Sequence, residues 1–89
     1  MSALQIEQLR SYRDDIARRL QDVELRHENL VAAWHRLRQA YQGESAEAFH
    51  QQFQRASRRA EQQAQRLHLI LPRLDAILEQ LTAQSQSEG

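Results

Sequence analysis

The amino-acid sequence predicts an all-α fold, an antiparallel two-helix hairpin that dimerises into a four-helix bundle. Three observations carry this. Two long segments repeat apolar residues at three- and four-residue spacings, which is the helical period. The 89 residues hold only two glycines and one proline, and one of the glycines, Gly43, divides the two segments. The segments are of similar length, so a chain that reverses at Gly43 lays one along the other.

The first helix is expected over about residues 4–42, a stretch without proline or glycine. One row of its face holds Leu9, Ile16, Val23, Leu30 and Leu37. The other holds Ile6, Arg13, Leu20, His27, Trp34 and Tyr41. Together they make the two seams of a heptad on one helical face. The residues between them are mostly Arg, Glu, Asp and Gln, solvent-facing types that tolerate a helix. A helix of about 37 residues is roughly 55 Å long.

The turn is expected at about residues 43–44, with Gly43 stopping the first helix because glycine reaches left-handed geometry without steric cost. The second helix is expected over about residues 45–82. Ser45 is its predicted N-cap, and Glu47 suits the positive end of the helix. Its rows are Ala46, Phe53, Ala60, Leu67, Leu74 and Leu81, and Phe49, Ala56, Gln63, Ile70 and Ile77. Pro72 has no N–H to donate and clashes with the preceding turn, so a kink there is expected, with a break as the alternative. The small, polar residues 83–89 read as a flexible tail.

A short turn sets the register, so that facing residue numbers sum to about 86. Val23 then faces Gln63, Leu30 faces Ala56, and Leu9 meets Ile77. Trp34, Tyr41, Phe49 and Phe53 gather at the turn end as an aromatic core. Farther along, Ala56, Ala60 and Ala64 allow close approach but supply little buried area. Leu71, Leu78, Val31 and Ala33 widen the apolar face beyond the seam. A lone hairpin leaves the flanks of that seam wet, so a second copy or a related hairpin is expected to complete a bundle. Arg13 and Gln63 stand at seam positions, where a polar group needs a partner; a dimer interface or a hydrated open end would supply one.

Composition narrows the chemistry. Twelve basic and twelve acidic residues cancel, all twelve basic residues being arginine, and acids interleave the arginine pairs Arg18-Arg19 and Arg58-Arg59. No coherent basic stripe for nucleic acid results. Cysteine is absent, and no zinc-type ligand spacing occurs. No apolar run approaches the roughly 20 residues of a membrane span, and no basic-then-apolar signal segment opens the sequence. Of the four histidines, His27 reads as a seam residue, while His35 and His50 approach across the turn without a third metal ligand. Ser45 and Ser57 show no histidine and acid at readable spacing, so nucleophilic catalysis is not expected. The expectation is a non-enzymatic protein without metal, cofactor, nucleic-acid partner or membrane insertion, acting by contact.

The stretch Tyr41-Gln42-Gly43, followed by Ala46, Ala48 and Phe49, resembles the turn of the small WxG-type helical-hairpin proteins of type VII secretion, the early-secreted-antigen-like family. Tyr41 stands where the family's tryptophan would be, Gly43 matches its glycine, and the similar layout extends from about Leu4 to Leu81. The family's substrates tend to carry a C-terminal Tyr-x-x-x-Asp/Glu signal, and no tyrosine follows Tyr41 here. The resemblance implies a secreted or co-secreted adaptor, paired with itself or with a related hairpin, exported without a classical signal peptide, or cytoplasmic if not exported. Secretion machinery or a larger co-secreted effector would be further partners, and a partner's tail would supply the missing signal. A small helical chaperone or a structural subunit of another complex is the alternative that shares the hairpin.

Overall fold

The computed structural model describes residues 1–88. Two helices, α1 (Ala3–Arg38) and α2 (Glu44–Glu88), fold back on each other as an antiparallel hairpin measuring 68 × 15 × 14 Å. Helix α1 begins at a capping box that the sequence pattern Ser2-x-x-Gln5 encodes. The Gln5 N–H donates to Ser2 Oγ at 3.2 Å, and the Ser2 N–H donates to Gln5 Oε1 at 2.9 Å, which satisfies two otherwise orphaned donors. His35, Arg36 and Arg38 occupy its last turn, where positive charge complements the exposed carbonyls.

The connection is longer than expected, because α1 ends at Arg38 rather than near residue 42. The Ala40 and Tyr41 N–H groups both donate to the Leu37 carbonyl, closing a tightened final turn. Gly43 has φ +108°, the left-handed region that glycine enters readily. Its carbonyl accepts from the Glu47 N–H at 3.1 Å, so Gly43 opens the second helix instead of closing the first. Ser45 accordingly lies inside the first turn of α2 and is not the cap. Glu44 and Glu47 supply the acidic charge there.

Helix α2 runs through Pro72 without a break and continues through residues 83–88, where a flexible tail was expected. Pro72 is exposed, so its missing donor falls on the solvent side of the helix. The terminal extension contains Ala, Gln and Ser, with no glycine or proline before Gly89 to stop the helix; Gly89 lies outside the described residues.

The axial register matches the expectation. Arg13 meets Asp75, His27 meets Ser57, and Trp34 meets Phe53, each within two residues of the expected pairing. The rotation of α2 does not match. Its inner rows are Ala46, Phe53, Ala60, Leu67, Leu74 and Leu81, as expected, but the second row is His50, Ser57, Ala64, Leu71 and Leu78. Phe49, Ala56, Gln63, Ile70 and Ile77 are all exposed. On α1 the seam keeps Ile6, Leu9, Ile16, Leu20, Val23, His27 and Trp34, then drifts to Val31, leaving Leu30 and Leu37 outside. A straight helix drifts about 20° per heptad against a 3.5-residue repeat, which is the direction of that shift.

Candidate interaction surface

Polar groups on α1 account for the rotation of α2. Trp34 is 3% exposed, and its indole N–H must find an acceptor. It donates to His50 Nδ1 at 2.8 Å. His27 Nε2 hydrogen-bonds Ser57 Oγ. Arg13 reaches Asp75 with two arms, Nε donating to Oδ1 at 2.7 Å and Nη2 to Oδ2 at 3.3 Å. That forked pair, first through its hydrogen bond and then through the attraction of the Asp75 charge, raises the Arg13 pKa above its ordinary value. His50, Ser57 and Asp75 all lie on the inner row or just beyond it. Turning α2 to bury Phe49, Ala56, Gln63, Ile70 and Ile77 would withdraw all three partners at once. Leu71 and Leu78 replace Ile70 and Ile77 with little loss of apolar volume, so hydrogen-bond satisfaction decides between the rows.

Two expected placements change as a result. Arg13 finds its partner inside the hairpin rather than across a dimer interface. Gln63 leaves the seam for solvent. The turn-end cluster also differs. Trp34 lies 4.9 Å from Phe49, 5.8 Å from Phe53 and 5.5 Å from the His50 ring, so His50 takes the place expected for Tyr41. Tyr41 is 40% exposed.

The hairpin therefore has two unlike flanks. On one, Glu24 approaches His68 at 3.4 Å. Shallow grooves run along it, one where Arg13, Asp14, Asp75 and Glu79 border Leu78 and Ala83, another where Glu24, His27, Glu28, Glu61 and His68 border Val23, Ala60 and Ala64. Helical geometry puts Phe49, Ala56, Gln63, Ile70 and Ile77 on the opposite side of α2, next to the drifted Leu30 and Leu37 of α1. Phe49, Ile70, Ile77, Leu30 and Leu37 are 41–50% exposed. Every residue assigned to the core from sequence is thereby placed. Ile16, Leu20, Trp34 and Ala46 are buried, and Leu9, Val23, Phe53, Ala60, Leu67 and Leu74 are half-buried. Leu30, Leu37, Ala56, Ile70 and Ile77, with Phe49 of the turn motif, face outward on one flank.

The His27–Ser57 pair was not legible as a constellation, because the two residues lie thirty positions apart on different helices. A serine paired with a histidine is half of a nucleophilic centre, which also needs a group orienting the second ring nitrogen and donors for an oxyanion. Among the described residues His27 Nδ1 makes no hydrogen bond, and Ser57 sits mid-helix, where backbone N–H groups are occupied. Here the pair acts as a seam bond. No three metal-ligating side chains converge among the described residues, and no described helix is long and apolar enough to cross a membrane. No known protein family, curated protein or solved structure matches the chain.

Proposed function

We propose that this chain is a non-enzymatic helical adaptor that works by packing its apolar flank against another helical hairpin to complete a four-helix bundle. The observation that carries this reading is the row of Leu30, Leu37, Phe49, Ile70 and Ile77 along one flank, large apolar side chains kept at the surface by polar pairs that hold α2 in place. Large apolar side chains left exposed along one flank are candidates for an interaction site. Among the described residues only six apolar side chains are buried, too few for a chain of this length to rely on its own core. The likeness of Tyr41-Gln42-Gly43 to a WxG turn supports assigning the adaptor to a type VII-like secretion system, as a secreted or co-secreted partner.

Two measurements test the two halves of the proposal. Light scattering across a concentration series reads the pairing. A mass near twice 10.5 kDa is the expected result for the chain alone. A partly unfolded monomer would redirect the search to an unlike hairpin, and a stable, fully helical monomer that binds no hairpin would overturn the adaptor reading. Expression in a bacterium with and without a working type VII motor reads the export, and supernatant levels indifferent to the motor would remove the secretion assignment.

A further inference from the structure

We infer that the Trp34–His50 hydrogen bond is an acid-operated latch: neutral His50 holds the turn end closed, and protonation of that ring opens the turn end while the rest of the hairpin stays folded. The inference goes beyond the adaptor reading and does not depend on it. It comes from the direction of one hydrogen bond. An indole N–H can only donate. His50 Nδ1, 2.8 Å from Trp34 Nε1, therefore has to present a lone pair, which only a neutral imidazole has at that nitrogen. An imidazolium carries a proton on both nitrogens and would aim a second donor at the first. Trp34 is 3% exposed, so water is a poor substitute for the lost acceptor. The closed turn end thus excludes a proton that the open one accepts. Its stability rises with pH and is lost as pH falls through the range in which histidines become charged.

The charges around His50 do not offset this. Besides Trp34, the turn-end cavity is lined by Arg38 of α1, Tyr41 of the connection and Glu47 of α2. His35, in the last turn of α1, stands level with His50 in the hairpin register. Arg38, and His35 once charged, repel an imidazolium, whereas Glu47 attracts it. Glu47 is exposed, so that attraction draws a charged ring outward, away from Trp34.

The other histidine contacts between the helices respond differently. His27 Nε2 meets the Ser57 hydroxyl, which can accept as well as donate, so that bond survives protonation. His68 Nε2 is 3.4 Å from Glu24 Oε1, a pair that gains from protonation and, being exposed, gains little. The Arg13–Asp75 fork at the open end involves no imidazole. Acid therefore acts on one end of the hairpin, in the manner of a local opening. That end includes part of the outward row. Phe49 lies 4.9 Å from Trp34, so the release of Trp34 loosens Phe49 as well.

Trp34 is the chain's single tryptophan, so its fluorescence reports this site alone. Titration of the full-length protein from about pH 8 to about pH 5 is expected to shift the emission to the red and to open the ring to acrylamide quenching. The ratio of closed to open turn ends is expected to fall by up to about tenfold per pH unit, the dependence of a single proton. Far-UV circular dichroism is expected to keep most of its helical signal. A flat fluorescence titration would overturn the latch, and helicity lost in step with the red shift would show global unfolding instead of a local opening. His50→Asn sets a non-titrating carbonyl where Nδ1 stands, and its emission is expected to stay at the closed value throughout. The parent's titration in a folded His50→Asn chain, or its disappearance in folded His35→Gln or His68→Gln, would move the effect to another group. Nitrogen-15 spectra of the unaltered chain keep the test decisive if His50→Asn fails to fold. The His50 proton is expected on Nε2 at about pH 8, and a Trp34 indole N–H still protected from exchange at about pH 5, with His50 charged, would sink the idea. Light scattering decides pairing separately: a failed latch leaves the mass unchanged, and a monomer that still titrates keeps the latch without the adaptor.

Discussion

Trp34 shows how one hydrogen bond can direct a fold. Its ring supplies most of the apolar burial at the turn end, but its N–H can be buried only against an acceptor, and His50 Nδ1 is the one provided. His50→Ala leaves that donor unsatisfied, so a destabilisation of about 1–3 kcal/mol is expected in urea unfolding. In a Trp34→Phe background no N–H needs a partner, and the same His50→Ala change is expected to cost clearly less. Equal costs in the two backgrounds would show that His50 contributes packing alone. Gly43 makes a second demand at this scale. A Cβ built there meets no atom within 4 Å, so any penalty comes from φ +108° rather than from crowding. Gly43→Val is expected to cost about 1–3 kcal/mol, Gly43→Ala less and Gly43→Asn least, read as a graded fall in melting temperature. A flat series would mean that the turn adopts another geometry on substitution.

At the scale of the helix, Pro72 is the local conflict that packing overrides. It stands in the interior of α2 with its side chain in solvent, so Pro72→Ala returns a backbone hydrogen bond and removes a clash without touching the seam. A gain of about 1–3 kcal/mol is expected from chemical denaturation, and a loss would mean that the proline shapes α2 in a way the seam depends on. Both helices, their order and their register were legible in the sequence, because a single glycine between two apolar repeats leaves few ways to reverse the chain. The rotation of α2 was not. Phe49, Ala56, Gln63, Ile70 and Ile77 make as good an apolar row as His50, Ser57, Ala64, Leu71 and Leu78, and periodicity alone favours the wrong one. The choice rests on bonds between residues distant in sequence, Trp34 with His50 and Arg13 with Asp75. The helix ends were hidden for a simpler reason. Gln39 and Ala40 are good helix formers after the point where α1 stops, and residues 83–88 are good helix formers where a tail was expected. The start of α1, by contrast, was written in Ser2 and Gln5.

For the whole molecule, the rotation that satisfies the seam is also what creates the outer surface, so adjacent residues on α2 carry opposite consequences. Leu78 is buried, while Ile77 beside it is 46% exposed; Leu71 is half-buried, while Ile70 beside it is 41% exposed. A carboxylate at Leu78 would replace a buried apolar side chain, 7% exposed, at the open end of the seam. Leu78→Asp is therefore expected to cost several kcal/mol and to abolish cooperative folding. Ile77→Asp and Ile70→Asp leave the carboxylate in water in the isolated hairpin, where their effect on helicity is expected to be small. In the paired state the same carboxylates would be driven into apolar contact, so each is expected to shift the light-scattering mass from dimer to monomer at concentrations where the parent chain is dimeric. Circular dichroism and mass measured on the same four variants, Leu71→Asp included, separate the two surfaces. If Ile70→Asp and Ile77→Asp unfold the chain as thoroughly as Leu71→Asp and Leu78→Asp, the helix is turned the other way and the stripe is part of the hairpin core. If all four stay helical and dimeric, the pairing surface lies on the polar flank. Only loss of folding in one pair and loss of pairing in the other agrees with a hairpin whose polar seam holds an apolar face outward for a partner.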